Sequence, residues 1–113
     1  MNTLMCLTLI MYMEARGQSP ETQTLVADVV IERAKQENLP ICKSMKKPKS
    51  YSWNWDGKHT KVDKEVFAKI KPIADKELRK PKMTGRLFFN ECSLKKRFKT
   101  DYKMIKSEKL CFY

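Results

Sequence analysis

Histidine is almost absent from this chain, His59 being the only one, and the four cysteines form no C-x-x-C pair. A zinc site needs thiolate and imidazole ligands clustered at short spacings, so no metal and no cofactor are expected. Glycine is equally scarce, with three residues beside five prolines, which argues against a disordered chain or a repeat array. Acidic residues trail basic ones by 13 to 24, leaving a formal net charge of +11. That excess points to a polyanionic partner: nucleic acid, an anionic cell envelope or acidic lipid headgroups. Membrane-length apolar runs are missing too. The stretch from Leu4 to Met13 carries no charge and is apolar except at Thr8, yet it is too short to span a bilayer. It also lacks the basic leader and small-residue cleavage site of a signal peptide, so it reads as a core helix and no export signal is visible.

What is present suffices for one domain. A length of 113 residues, 42% of them hydrophobic and 33% charged, allows a modest core over 1–113. Cys6, Cys42, Cys92 and Cys111 are scattered, and buried free thiols are the expected state. One or two bridges remain open if the protein works outside the cytoplasm.

The chain is organised around Met11-Tyr12-Met13-Glu14-Ala15-Arg16-Gly17-Gln18. A first helix is expected from about Thr3 to Arg16, capped by Asn2 or Thr3 and ended by Gly17 in the left-handed conformation. A helix that is apolar nearly all round is buried. Glu14 on its last turn is therefore either a helix end reaching solvent or a carboxyl among apolar neighbours, its pKa raised so that it can donate a proton.

Ser19 as N-cap, Pro20 at the first helical position and Glu21 in the first turn start a second helix. Leu25, Val26, Val29, Val30 and Ala34 give it one apolar stripe. Arg33 lies on the inner side, either as a surface charge or as a partner for a carboxylate. Asn38-Leu39-Pro40 stops this helix, Ile41 to Met45 allow one further turn, and Lys46 to Ser50 read as an exposed basic loop. In Tyr51-Ser52-Trp53-Asn54-Trp55-Asp56-Gly57-Lys58, alternation puts Tyr51, Trp53 and Trp55 on one face. Such a row serves either as core or as a sugar platform, where pyranose faces lie on indole. Asp63 caps a third long helix bearing Val66, Phe67, Ile70, Ile73, Ala74 and Leu78, with a kink or break expected at Pro72. Its outer face carries Lys64, Lys69, Lys71, Lys76 and Arg79, alternating with Asp75 and Glu77. Thr84 to Asn90 and Lys109 to Tyr113 read as strands, with the basic segment Leu94 to Lys103 between them.

Three of these blocks resemble one family. Tyr12-x-Glu14-Ala15-Arg16-Gly17, then Val26-Ala27-x-Val29-Val30-Ile31-x-Arg33 and Leu39-Pro40-x-Cys42, look like the opening of the SleB/CwlJ-type cell-wall hydrolases, which include spore-cortex lytic enzymes and phage lysins. Tyr51-Ser52-Trp53 with Asp56-Gly57-Lys58 is similar to a second family element, and Thr84-Gly85, Phe88-Phe89 and Phe112-Tyr113 to its closing part. Glu32 stands where the family usually has Asn, Gln18 where many relatives have Glu, and Asn90 and Leu110 where histidines are expected.

The resemblance implies a small α+β, lysozyme-like domain, with helices in the first two-thirds and a small antiparallel sheet formed by the Trp-rich and C-terminal strands. It implies cleavage of the peptidoglycan glycan strand with Glu14 as the single catalytic residue, and Tyr12, Arg16, Ser52, Trp53, Trp55 and Asn90 at the substrate. A retaining glycosidase needs a second carboxylate about 5 Å away, and an inverting one a more distant carboxylate. Glu32, Asp56 and Glu91 are the candidates, and no motif demands any of them. The family's implied route needs none: as a lytic transglycosylase, Glu14 protonates the glycosidic oxygen and then deprotonates the sugar's own 6-hydroxyl, leaving a 1,6-anhydro-muramic end.

The expected partners are glycan strands and, by charge, anionic envelope polymers. No stable protein partner is evident, and a monomer is expected. The protein would be made in a host cytoplasm and act at the wall after release, as a phage lysin does. Two other readings stay open. A basic nucleic-acid module would stack bases on Trp53 or Trp55, and a silent lysozyme-like domain would bind glycan without cutting it.

Overall fold

The computed structural model describes residues 2–47, 51, 61–80, 84–94 and 103–113. Its order is α1 (Thr3–Ala15), α2 (Pro20–Glu37), α3 (Ile41–Lys46), α4 (Lys64–Leu78), β1 (Phe89–Glu91), β2 (Ile105–Ser107) and β3 (Leu110–Phe112). This is a small α+β domain in which, among the described residues, four helices precede a three-stranded antiparallel sheet.

Helix α1 is the axis of the core, and α2, α3 and α4 all pack on it. Leu7, Ile10 and Met11 are fully buried, each worth roughly 1.5–3 kcal/mol relative to exposure. Its one polar interior residue, Thr8, is satisfied locally: its hydroxyl donates to the Leu4 carbonyl at 2.7 Å. Asn2 caps the helix by accepting from the Met5 amide at 2.9 Å.

The end of α1 differs from expectation. Arg16 closes the helix with ordinary right-handed angles (φ −59°, ψ −30°), and Gly17 is not at positive φ. The Gln18 amide bonds back to the Ala15 carbonyl at 3.1 Å, so a plain turn reverses the chain without a left-handed residue.

Ser19 caps α2 as expected, accepting from the Thr22 amide at 3.3 Å. The helix ends at Asn38, which takes the left-handed conformation (φ 54°, ψ 43°) that glycine often supplies. Asp63 caps α4 by accepting from the amides of Glu65 and Val66. Pro72 sits inside α4 and does not break it. Of the kink or break expected there, the break is not found: one helix runs through, because its apolar stripe stays on the core on both sides of the proline, with Ile70 and Ala74 buried; Glu77, expected on the outer face, is buried as well.

In the sheet, β3 lies between β1 and β2, with Phe112 opposite both Phe89 and Ile105. Every residue of β3 is buried, and the Phe89 and Phe112 rings lie 5.6 Å apart. The strand β2 was not anticipated, and Tyr51 is the only described residue of the Trp-rich block. The expectation that this block supplies a strand therefore lies outside the described residues.

The cysteines are a second correction. Cys6 is bonded to Cys42, tying α1 to α3, and Cys92 to Cys111, tying the end of β1 to β3. Packing brings each pair to Cα separations of 5.4 and 5.1 Å, within the range a disulfide requires. Buried free thiols are thus excluded.

Candidate functional site

Glu14 stands half-buried on the last turn of α1. That turn is fixed from α2: the Gln23 side-chain amide donates to the Ala15 carbonyl at 3.1 Å in a buried position. One residue beyond, Arg16 is exposed and folds back over the Tyr12 ring, 5.2 Å from its centroid.

Tyr12 itself is buried, 5% exposed. Its ring lies 6.4 Å from that of Phe67, and its hydroxyl accepts the Asp63 amide at 3.0 Å. The contacts Tyr12 makes are those of a core residue that places the start of α4.

Tyr51 sits at the other flank of the aromatic block. The Arg33 guanidinium lies 4.8 Å from its ring centroid, so Arg33 is neither a free surface charge nor simply a carboxylate's partner. Burial pushes the Tyr51 hydroxyl up to about 12, against the pull of Arg33, and the charges of Glu14 and Glu37 add to the rise. Glu14, Arg33, Glu37 and Tyr51 therefore share one electrostatic neighbourhood. Glu37 was not singled out in the sequence. Burial acts to raise its pKa, but hydrogen bonds from Lys47 and Ser44 outweigh that and hold it below the ordinary glutamate value. It is thus an anion already committed to Lys47.

The other sequence candidates fall elsewhere. Glu32 is half-buried on α2 and acts on Asp28, not on Tyr51. Glu91 is exposed at the end of β1, opposite Leu110. Asn90 lies mid-strand opposite Cys111, on the other side of β1 from Phe89. Ser52, Trp53, Trp55 and Asp56 lie outside the described residues. Among the described residues no group of histidines, cysteines or carboxylates is arranged to hold a metal ion, and no helix is long and apolar enough to cross a membrane.

Both flanks of the aromatic block are thereby anchored to residues of the first two motifs, Tyr51 by Arg33 and Asp63 by Tyr12. Glu14 is a half-buried carboxylate beside that anchor, and Glu37, which also acts on Tyr51, is paired with Lys47. The chain matches no family model, no curated protein and no solved structure.

Proposed function

We propose that this protein cleaves the glycan strand of peptidoglycan, with Glu14 serving first as acid and then as base, in a lysozyme-like domain of the SleB/CwlJ type. The observation that carries the reading is the anchoring just described. Tyr12 and Arg33, 21 positions apart in sequence, grip the two flanks of the segment from Ser52 to Thr60, and the Glu14 charge acts on Tyr51. Motifs that are separate in sequence thus meet at the two flanks of one segment, with Glu14 beside the first of them.

The chemistry follows from that placement. Glu14 donates its proton to the departing glycosidic oxygen as an oxocarbenium-like centre develops. The resulting carboxylate then removes the proton of the 6-hydroxyl, which closes onto the anomeric carbon. One group does both jobs and no water is consumed. Ser52, Trp53 and Trp55 are the proposed sugar contacts, with Arg16 and Asn90 at the periphery. The excess of lysine and arginine favours a wall carrying anionic polymers. Two disulfides suit work outside a reducing cytoplasm, consistent with a lysin that acts after release.

The test is mass spectrometry of peptidoglycan fragments released by the wild-type protein and by Glu14→Gln. Anhydro-muramic ends that vanish in the variant are expected. Reducing ends would keep the enzyme and replace the transglycosylase route by hydrolysis. No release from several envelopes, with glycan still bound, would leave a silent binding domain. Salt-sensitive DNA binding instead would favour the nucleic-acid reading.

A further inference from the structure

Two acidic side chains are buried against each other between α2 and α4. Asp28 is 5% exposed and Glu77 is 2% exposed. One oxygen of each, Asp28 Oδ1 and Glu77 Oε2, is fully buried and meets no N–H or O–H donor. The Asp28 and Glu77 carboxyls nevertheless lie within hydrogen-bonding reach of each other. Two carboxylates have no proton to share, so a bond between them requires that one be protonated. Among the described residues one cation serves the pair: Lys80 Nζ lies 2.7 Å from Glu77 Oε1. Glu32, one turn along α2, adds further negative charge against Asp28. Across the way, β2 contributes Lys106 and Ser107 to an open groove of about 520 Å³, whose wall also holds Glu21, Asp28 and Lys80. Glu77 does not line that groove, so solvent approaches the pair from the Asp28 side.

The helix is built to give way at this point. Pro72 lacks the amide that would bond one turn back, so α4 has its weakest link just before the segment carrying Glu77. We infer that Asp28, Glu77 and Lys80 form a proton-operated latch: while Asp28 holds its proton, the part of α4 beyond Pro72 is fastened to α2, and opening of that part releases the proton. Burial, then the hydrogen bond and charge of Glu77, raise Asp28 to about 7, which puts the working range of the latch near neutrality. This inference is independent of the reaction assigned to Glu14.

Opening returns Asp28 to an ordinary carboxylate. The opening equilibrium therefore grows about tenfold per pH unit from just above the usual aspartate range to about pH 7, then levels off. Amide hydrogen exchange of the intact protein, corrected for the intrinsic rate, reads this directly. Amides of residues 73–80 are expected to be less protected than those of α1 and to lose protection with that slope. In Asp28→Asn the side-chain amide donates to Glu77 without a titrating proton, so the slope should disappear and protection at pH 7 should rise. Wild-type amides of 73–80 that show no slope, or that exchange only with the α1 amides, would overturn the latch, as would a slope that survives in Asp28→Asn. Should that variant fail to fold, carbon-detected titration of the wild-type Asp28 carboxyl decides: a midpoint near 7 supports the latch and one near 4 overturns it.

Discussion

The Arg33 guanidinium lies over the Tyr51 ring at 4.8 Å, which joins the middle of α2 to the residue that opens the aromatic block. A cation over an aromatic face contributes about 0.5–2 kcal/mol, depending on how far both are dried. Tyr51 and Arg33 are both half-buried, so the middle to upper part of that range applies. Arg33→Ala should lower the unfolding free energy by about 1–2 kcal/mol in urea titrations. Arg33→Lys should recover only part of it, because an ammonium does not stack as a planar guanidinium does. Equal stability of all three proteins would dismiss the contact.

Glu14→Gln keeps shape and loses the transferable proton. At this half-buried position an isosteric change is expected to be nearly neutral, within about 0.5 kcal/mol. The melting temperature should then move by no more than about 2–4 °C, while cleavage falls by at least about a hundredfold. A collapse of folding with proportionate loss of activity would make Glu14 a structural residue.

The helices were legible because their signals are local. An uncharged apolar run marks α1, Ser19-Pro20-Glu21 opens α2, and Asp63 opens α4, each within a few residues of the event. Long-range facts left no such mark. Asp28 reads as one polar residue in an apolar stripe, and nothing near it says that Glu77 will meet it. Arg33 and Tyr51 are joined by packing alone. Four cysteines permit three pairings, and only the fold selects among them. The strand β2 hid inside a lysine-rich stretch, since only Ile105 and Ser107 turn inward while Lys106 faces solvent. Glu14 stands out in the sequence through a resemblance and its place on a buried helix; its coupling to Tyr51 arises only in the fold.

Gly17 gives a case where the expectation and the structure predict opposite results. A left-handed glycine would make alanine costly. The observed Gly17 has no positive φ, and a methyl group there would meet nothing within 4 Å. Gly17→Ala should therefore stabilise the fold by about 0.4–1 kcal/mol, by restricting the unfolded chain. A loss of similar size in chemical denaturation would restore the left-handed terminator.

The disulfides close loops with sequence separations of 36 and 19. Loop-closure entropy assigns each roughly 3–4 kcal/mol, against a total stability of roughly 5–15 kcal/mol for a domain. Cys6 is fully buried, so reduction should be carried out in denaturant and followed by refolding with the thiols blocked. The reduced protein should unfold at a much lower urea concentration, and Cys92→Ser with Cys111→Ser should produce part of that shift. An unchanged midpoint would contradict the pairing.

Glu108 gives the opposite pH dependence to Asp28. It sits at φ 53° in the turn between β2 and β3, an unusual conformation for a residue other than glycine. Its carboxylate reaches the start of α2, accepting from the Ser19 amide and from the Thr22 hydroxyl at 2.8 Å. The hydrogen bonds from Ser19, followed by that from Thr22, hold its pKa below the ordinary glutamate value. A lowered folded pKa means that the contribution is complete above the unfolded value and is lost as pH falls through the folded one. Glu108→Gln should therefore be less stable than wild type at pH 6–7, and the two unfolding curves should converge towards pH 3. A gap that stays constant across that range would show that the charge on Glu108 contributes nothing, leaving only its shape to hold the sheet on α2.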